Sequence, residues 1–338
     1  MKTSSSTWWR PIVEHYEQPQ LSISCRQIAN SVGPYLGIWL LMILSVEVSY
    51  LLTLLLAVLA AGFWVRIFII SHDCGHGSFF KSRRANHFWG VITGVLTLMP
   101  YLFWRREHAR HHGSSGNLDR RGVGDIWTMT VEEYLASSWW RRAQYRIYRN
   151  PFLMFGVGAW ILFAFRYRVT QGAGNLQEKR SVYWTNFGLA AIAAMMIAWI
   201  GVKQYLMIML PLMAIGSSVG VWLFYVQHQF EGVYWERDEE WDYLKQAMEG
   251  SSFYKLPKIL QWFTGNIGFH HIHHLSHRIP NYNLERCHKD NEIFRTVNEV
   301  TLLSSMKSLA FRLWDENQRK LVGFKAAVES QVNSLCPS

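Results

Sequence analysis

Two stretches limit what this chain can become. Tyr50–Ile70 contains one Arg, Arg66, and no Lys, Asp or Glu, and Gln204–Val226 contains none of the four. A helix needs about 20 predominantly apolar residues to cross the hydrocarbon of a bilayer, and both stretches reach that length. Thr185–Val202 nearly does. Val32–Val46 is shorter, but only the break at Glu47–Ser49 separates it from Tyr50–Ile70, so the pair predicts a helical hairpin. Gly201-Val202-Lys203-Gln204 predicts the tight turn of a second hairpin.

Composition agrees with a chain partly bathed in lipid. Charged residues make up 17% of the 338, against roughly 25% in soluble domains. Aromatics reach 15%, with 17 Trp, as expected of belts at the two membrane interfaces. A mean hydropathy near zero requires a sizeable polar body as well. The net charge of +10 comes from 34 Lys and Arg against 24 Asp and Glu. These basic residues sit in loops bordering apolar runs rather than along one stripe. That excludes a nucleic-acid partner and points to anionic headgroups or an acidic protein. Cys25, Cys74, Cys287 and Cys336 form no CxxC pair, so neither a disulfide framework nor a thiolate zinc site is expected, in keeping with a reducing cytoplasm. The opening MKTSSSTWWRP lacks the apolar core of a cleavable signal peptide.

Two further apolar runs, Phe88–Phe103 and Pro151–Phe165, are flanked by the Lys- and Arg-rich loops 81–87, 105–149 and 166–180. The positive-inside rule places all three loops in the cytoplasm, so each run begins and ends on the same side. Both are short for a crossing and read as interfacial or re-entrant. The expected architecture is an all-α integral membrane protein of about four transmembrane helices in two hairpins, six being the alternative, with a cytoplasmic histidine-box domain. Residues 1–31 form a cytoplasmic N-terminal segment and 32–70 the first hairpin. Residues 71–184 form a cytoplasmic and interfacial region, 185–226 the second hairpin and 227–338 a cytoplasmic region. Within the last, Leu302, Met306, Leu309 and Leu313 recur at helical spacing and predict a C-terminal helix with a packing face.

The fourteen histidines are not scattered. If the helix ending at Ile70 continues, His72 and His76 stand at i and i+4 on one face. His108, His111 and His112 follow the spacing i, i+3, i+4, and His270, His273 and His274 repeat it. Neutral imidazole is the commonest metal ligand, and such spacings aim two or three nitrogens at one point. One such group is weak evidence. Three, each beside an apolar run on the same membrane face, do not fit a solvated surface. His228 closes the run Gln204–Val226 and emerges on that face too. His271 is out of register and is a candidate for an outer role or a substitute ligand. His15 and His87 are isolated and read as surface residues, His277 and His288 as solvated, and Cys74 as a small packing residue.

The motifs HDCGH at 72–76, HARHH at 108–112 and HHIHH at 270–274, in this order and separated by hydrophobic hairpins, closely resemble those of the membrane fatty acid desaturases. Phe224–His228, Gly124–Trp127, Gly250–Pro257, Trp262–His270 and Arg278–Asn283 are similar to the bacterial acyl-lipid branch, nearest to phospholipid desaturases of the Δ5 type. The resemblance runs from about Gly33 to Trp314. It implies a non-haem di-iron centre with O2 as co-substrate, in a bacterial cell membrane, with the active site on the cytoplasmic face. The implied ligands are His72, His76, His108, His111, His112, His228, His270, His273 and His274, with His271 leaving the inner set of its box open.

Imidazole alone does not name the metal; iron fits an oxidising centre beside lipid chains. Asp73, Asp125 and Asn266 are candidates to orient imidazole rings. Phe79, Phe80, Trp104, Trp222 and Tyr225 are candidates to line a phospholipid acyl channel, although ordinary packing explains each as well. No haem, flavin or GxGxxG motif is present, so electrons are expected from an external donor such as ferredoxin or flavodoxin. Arg105, Arg106, Arg120 and Arg121 are placed to steer that acidic partner, or to meet anionic headgroups. The rival chemistry is a di-iron hydroxylase of lipid, sterol or carotenoid. A histidine-rich metal transporter is more remote, because transporters hold ionisable ligands near the midplane.

Overall fold

The computed structural model describes residues 7–122 and 124–325; Cys336 lies outside them. Among the described residues four helices are long and apolar enough to cross a membrane: Leu21–Ser45, Tyr50–His76, Leu176–Ile200 and Val202–His228. They form the two expected hairpins. The first helix begins at Leu21, well before the apolar run at Val32, and so takes in residues 21–31 of the expected N-terminal segment. The third begins at Leu176 rather than near 185, and the fourth runs to His228. Polar first turns disguise these starts. Asn175 caps the third helix by accepting from the Glu178 backbone N–H, a polar signal that hydropathy alone does not register.

Arg83–Leu96 and Tyr101–Ser114 are bent by 100° at their break, and Trp139–Tyr148 and Phe152–Arg168 by 67°. These are the two runs expected to be re-entrant or interfacial; the span count is four, or six if each bent pair is one span. The sharper bend depends on glycine. A Cβ on Gly90 would stand 2.2 Å from the Tyr101 ring, and the Tyr101 hydroxyl donates to the Cys74 carbonyl at 2.8 Å. The bend therefore ties the Tyr101–Ser114 helix against the end of Tyr50–His76. Cys74 itself is buried against Phe79, Phe80 and Tyr101, as a packing residue.

The helices differ in how much of their surface is buried in the protein. Tyr50–His76 is the central one, packed by Leu21–Ser45, Arg83–Leu96 and Val202–His228. Its Trp64 lies against Gly216 and Phe163 and donates to the Leu96 carbonyl at 2.9 Å. Leu176–Ile200 is peripheral, with Trp184, Phe187, Met195 and Trp199 exposed.

At the end of the bundle where His76 and His228 emerge, a polar layer closes over it, and here two small sheets join the helices. Met129–Thr130 pairs parallel with Leu313–Asp315, which pairs antiparallel with Lys320–Val322, and Phe253–Lys255 pairs parallel with Glu299–Thr301. The expected helix over Thr301–Trp314 is broken. It becomes an α-turn at Leu302–Ser305, a 3-10 turn at Met306–Ala310 and the strand Leu313–Asp315. Leu302, Leu303 and Met306 are exposed while Ser305 and Ser308 are buried. Strand pairing of Leu313 and Trp314 outweighs the local helical period, and the stripe is not a packing face.

Candidate metal centre

Three helices and one helix end deliver the histidines. Tyr50–His76 carries His72 and His76 in its last turns and stops at Gly77, whose φ of 73° is the left-handed cap that glycine adopts without strain. Tyr101–Ser114 carries His108, His111 and His112, the short helix His270–Leu275 carries the third box, and Val202–His228 ends on His228.

The chain brings nine of these imidazoles into two groups. His72, His76, His108, His112 and His273 each offer a nitrogen within 4.8 Å of the others, and His111, His228, His270 and His274 do the same. The second and third boxes are shared. His108 and His112, one turn apart, join the first group while His111 turns to the second. His273 joins the first group, and His270 and His274 the second. The two groups adjoin: His112 stacks on His274 with ring centroids 4.3 Å apart.

Hydrogen bonding fixes which nitrogen faces inward. His111 Nδ1 lies 2.6 Å from Asp125 Oδ1, and His228 Nδ1 lies 3.1 Å from the Gly250 carbonyl. Neither a carboxylate nor a carbonyl can donate, so each Nδ1 carries the proton and each Nε2 presents a bare lone pair. Those two lone pairs face each other at 3.1 Å. His72 Nδ1 bonds Asp73 Oδ1 at 3.0 Å, with the same consequence. His76 Nε2 and His274 Nε2 are buried with no partner. Facing lone pairs and orphaned nitrogens cost free energy in a protein interior. A cation between them removes that cost, and the donor set therefore fits a pair of metal ions.

Burial, followed by the neighbouring imidazoles, pushes His270, His273 and His274 well below the ordinary histidine range. They are held neutral, the form that binds metal.

The outer residues divide. Asp73 and Asp125 each hold a ring. Asn266, expected to do so, has no hydrogen bond to an imidazole among the described residues: its backbone is left-handed at φ 57°, its Oδ1 accepts from Gln261 and its Nδ2 donates to the Asn281 carbonyl. Asn281 is the residue the sequence did not reveal, since it donates to Asp73 Oδ2 from both its backbone N–H, at 2.7 Å, and its side chain, at 2.8 Å. His271 belongs to neither group; its Nε2 lies 3.2 Å from His288 Nδ1. His288 is buried rather than solvated. Nor is His277 free, for its ring packs 4.9 Å from His76. His15 and His87 are exposed as expected.

Of the proposed channel residues only Trp104 reaches the centre, stacked on His108 at 4.5 Å. Phe79 and Phe80 are core; Tyr225 donates to the Ser308 carbonyl, and Trp222 packs on Phe155. Phe224, which was missed, lies 4.9 Å from His111. Its position one turn before His228 was the available signal. Among the arginines, Arg106, Arg120 and Arg121 are engaged by Glu178, Asp238 and Glu133, whereas Arg105 is exposed and has no ion pair among the described residues.

Fold and site together define a helical membrane protein built around two adjoining groups of largely buried imidazoles. The family model "Fatty acid desaturase" matches residues 48–298. The chain is 51% identical to a fatty acid desaturase of Bacillus subtilis over 93% of this chain and 89% of that protein. It is 27% identical to an sn-1 acyl-lipid omega-3 desaturase (ferredoxin) of Synechocystis over 67% of this chain, and 30% identical to an sn-1 oleoyl-lipid 12-desaturase of the same organism over 65%. It spans 63% of each cyanobacterial protein's length. The chain belongs to the fatty acid desaturase family.

Proposed function

We propose that this chain is an O2-dependent acyl-lipid desaturase. In this reading it introduces a cis double bond into phospholipid acyl chains at a non-haem di-iron centre on the cytoplasmic face of a bacterial cell membrane, with Δ5 as the position its motifs resemble. The observation that carries the reading is the division of nine imidazoles, seven of them buried and His76 and His108 half-buried, into two adjoining groups in a chain of this family. His72, His76, His108, His112 and His273 would hold one iron, and His111, His228, His270 and His274 the other. Bound iron would supply the redox chemistry by which O2 oxidises an unactivated pair of methylenes, which amino-acid side chains do not perform.

The chain's own residues position and insulate. Asp125, Asp73 and the Gly250 carbonyl hold protons at the Nδ1 atoms of His111, His72 and His228, keeping each Nε2 available without a change of tautomer. Asn281 fixes the Asp73 carboxylate through its second oxygen. Trp104 and Phe224 place flat apolar faces beside His108 and His111, surfaces on which a hydrocarbon chain can lie while water is kept away. The printed name of one Synechocystis relative includes ferredoxin; ferredoxin or flavodoxin is the external electron donor we propose here, with Arg105 as an exposed cation to meet it.

Expression in a bacterium whose lipids lack Δ5 unsaturation tests this. Mass spectrometry of the phospholipids is expected to find new cis double bonds with the intact chain and none with His111→Ala or His273→Ala. A hydroxylated acyl chain in their place would make the enzyme a hydroxylase.

A further inference from the structure

A second polar site lies away from the histidines. Between Leu21–Ser45, Tyr50–His76 and the segments around 258–266 and 281–285 is a cavity of about 400 Å³. Arg26 and Lys258 stand exposed among its lining residues, whereas Arg66, Gln27 and Asn281 are buried. Arg66 is the anomaly. It is a buried guanidinium in a membrane-spanning helix, and no carboxylate pairs with it among the described residues. Its Nε donates to Ser31 Oγ at 3.1 Å, one Nη donates to the Trp262 carbonyl, and its Cζ lies 3.9 Å from the centroid of the Trp262 ring. The one acid lining the cavity, Glu285, is already engaged by Lys258, Lys289 and Gln261. Lys258 is paired with that carboxylate, so Arg66 and Arg26 leave the cavity short of negative charge.

Its depth identifies the ligand. At 1.5 Å per residue, Arg66 stands about 24 Å from the start of its helix at Tyr50, and Arg26 about 28 Å from Ser45. The two helices are joined at those ends, so both arginines reach one level, near the far boundary of a hydrocarbon layer about 30 Å thick. Ile259, Leu260 and Trp262, beside the cavity, are exposed apolar residues suited to that boundary. This is where phospholipid phosphates reside. Arginine is the side chain whose planar fork matches a phosphate, and a membrane arginine without a protein counter-ion marks a functional site.

We propose that this cavity binds the phosphate of the phospholipid whose acyl chain is desaturated, with Arg66 at its floor and Arg26 and Lys258 at its rim. The inference rests on the acyl-lipid reading above and adds the group that the enzyme recognises. It also links recognition to the metal centre. Gln27 donates to Asn281 Oδ1 at 3.0 Å, and Asn281 holds Asp73, which holds His72. Arg66 precedes His72 by six residues, about 9 Å along the same helix. A headgroup held there keeps the carboxyl end of its chain near the histidines.

Native mass spectrometry of the purified protein, titrated with phosphatidylglycerol, the matching diacylglycerol or inorganic phosphate, tests this without reference to turnover. Phosphatidylglycerol is expected to bind roughly tenfold more weakly to Arg66→Gln and to Arg26→Gln than to the parent chain, with diacylglycerol binding unaltered. Arg26 is exposed and has no hydrogen-bond or ion-pair partner among the described residues, so Arg26→Gln carries the test should Arg66→Gln fail to fold. Equal phosphatidylglycerol binding by the parent and Arg26→Gln would overturn the proposal. So would inorganic phosphate that displaces the lipid at matching concentration, which would make this a free-anion site. Arginine-dependent lipid binding without any new double bond would leave this site standing and remove the desaturase reading.

Discussion

His111 Nε2 lies 3.1 Å from His228 Nε2, although 117 positions separate the two residues. Both Nδ1 atoms are committed to oxygen acceptors, so this is a contact between two lone pairs that a shared cation would relieve. Removing either ring is expected to empty one group and leave the other. In His111→Ala, bound iron should fall to about half that of the parent chain by elemental analysis, with desaturation lost, since both metals are needed for the reaction proposed. An unaltered iron content would show that this group holds no metal.

Asp125→Asn retains the volume and removes the charge that keeps the His111 proton at Nδ1. Outer-shell substitutions of this kind typically cost 10–100-fold in metal affinity or activity, and a loss in that range is expected here with thermal stability nearly unchanged. Titration of the metal-free protein with iron(II) reads the affinity directly. Parent-like affinity would mean that the carboxylate does not orient the ring.

Acid should destabilise the metal-free protein. Burial first, then His288, pushes His271 down to about 3 from 6.5. Between those values the unfolded chain binds the proton and the folded chain does not, so stability rises with pH across this window. The protein is expected to hold its full stability above about pH 6.5 and to lose roughly 2 kcal/mol by pH 5 from this residue alone. His270, His273 and His274 act in the same direction. Thermal melts from pH 7.5 to 5 should show the fall, shallower in His271→Asn; a melt independent of pH would contradict it.

Gly90→Val should damage the site without touching a histidine. The added side chain meets the Tyr101 ring, which is anchored through its hydroxyl to Cys74. Overpacking of this sort typically costs 1–3 kcal/mol, and the displaced helix is the one that carries His108, His111 and His112. A lower melting temperature together with reduced iron content is expected. Parent-like values of both would show that the 100° bend tolerates a side chain here.

Much of this protein is legible along the chain because its constraints are local. Apolar runs such as Tyr50–Ile70 set the spanning helices through hydrocarbon thickness alone. The spacings at His72, His108 and His270 set which imidazoles share a helix face. Local signals misled where a partner from elsewhere intervenes. Leu313 follows a helical period but pairs with Met129, and His288, polar and near the C-terminus, is buried against His271 and Phe253.

By itself, the sequence determined that four long segments enter lipid and that histidines recur at metal-binding spacing beside them. Only the tertiary structure decided how those histidines are apportioned. His111 parts from His108 and His112, and His273 from His270 and His274, because neighbouring positions on a helix point about 100° apart. Which direction meets which partner depends on where the other helices lie. The same is true of Arg66. Its charge is evident in the run, but its want of a carboxylate partner among the described residues and its place on a cavity with Arg26 and Lys258 arise from three segments converging.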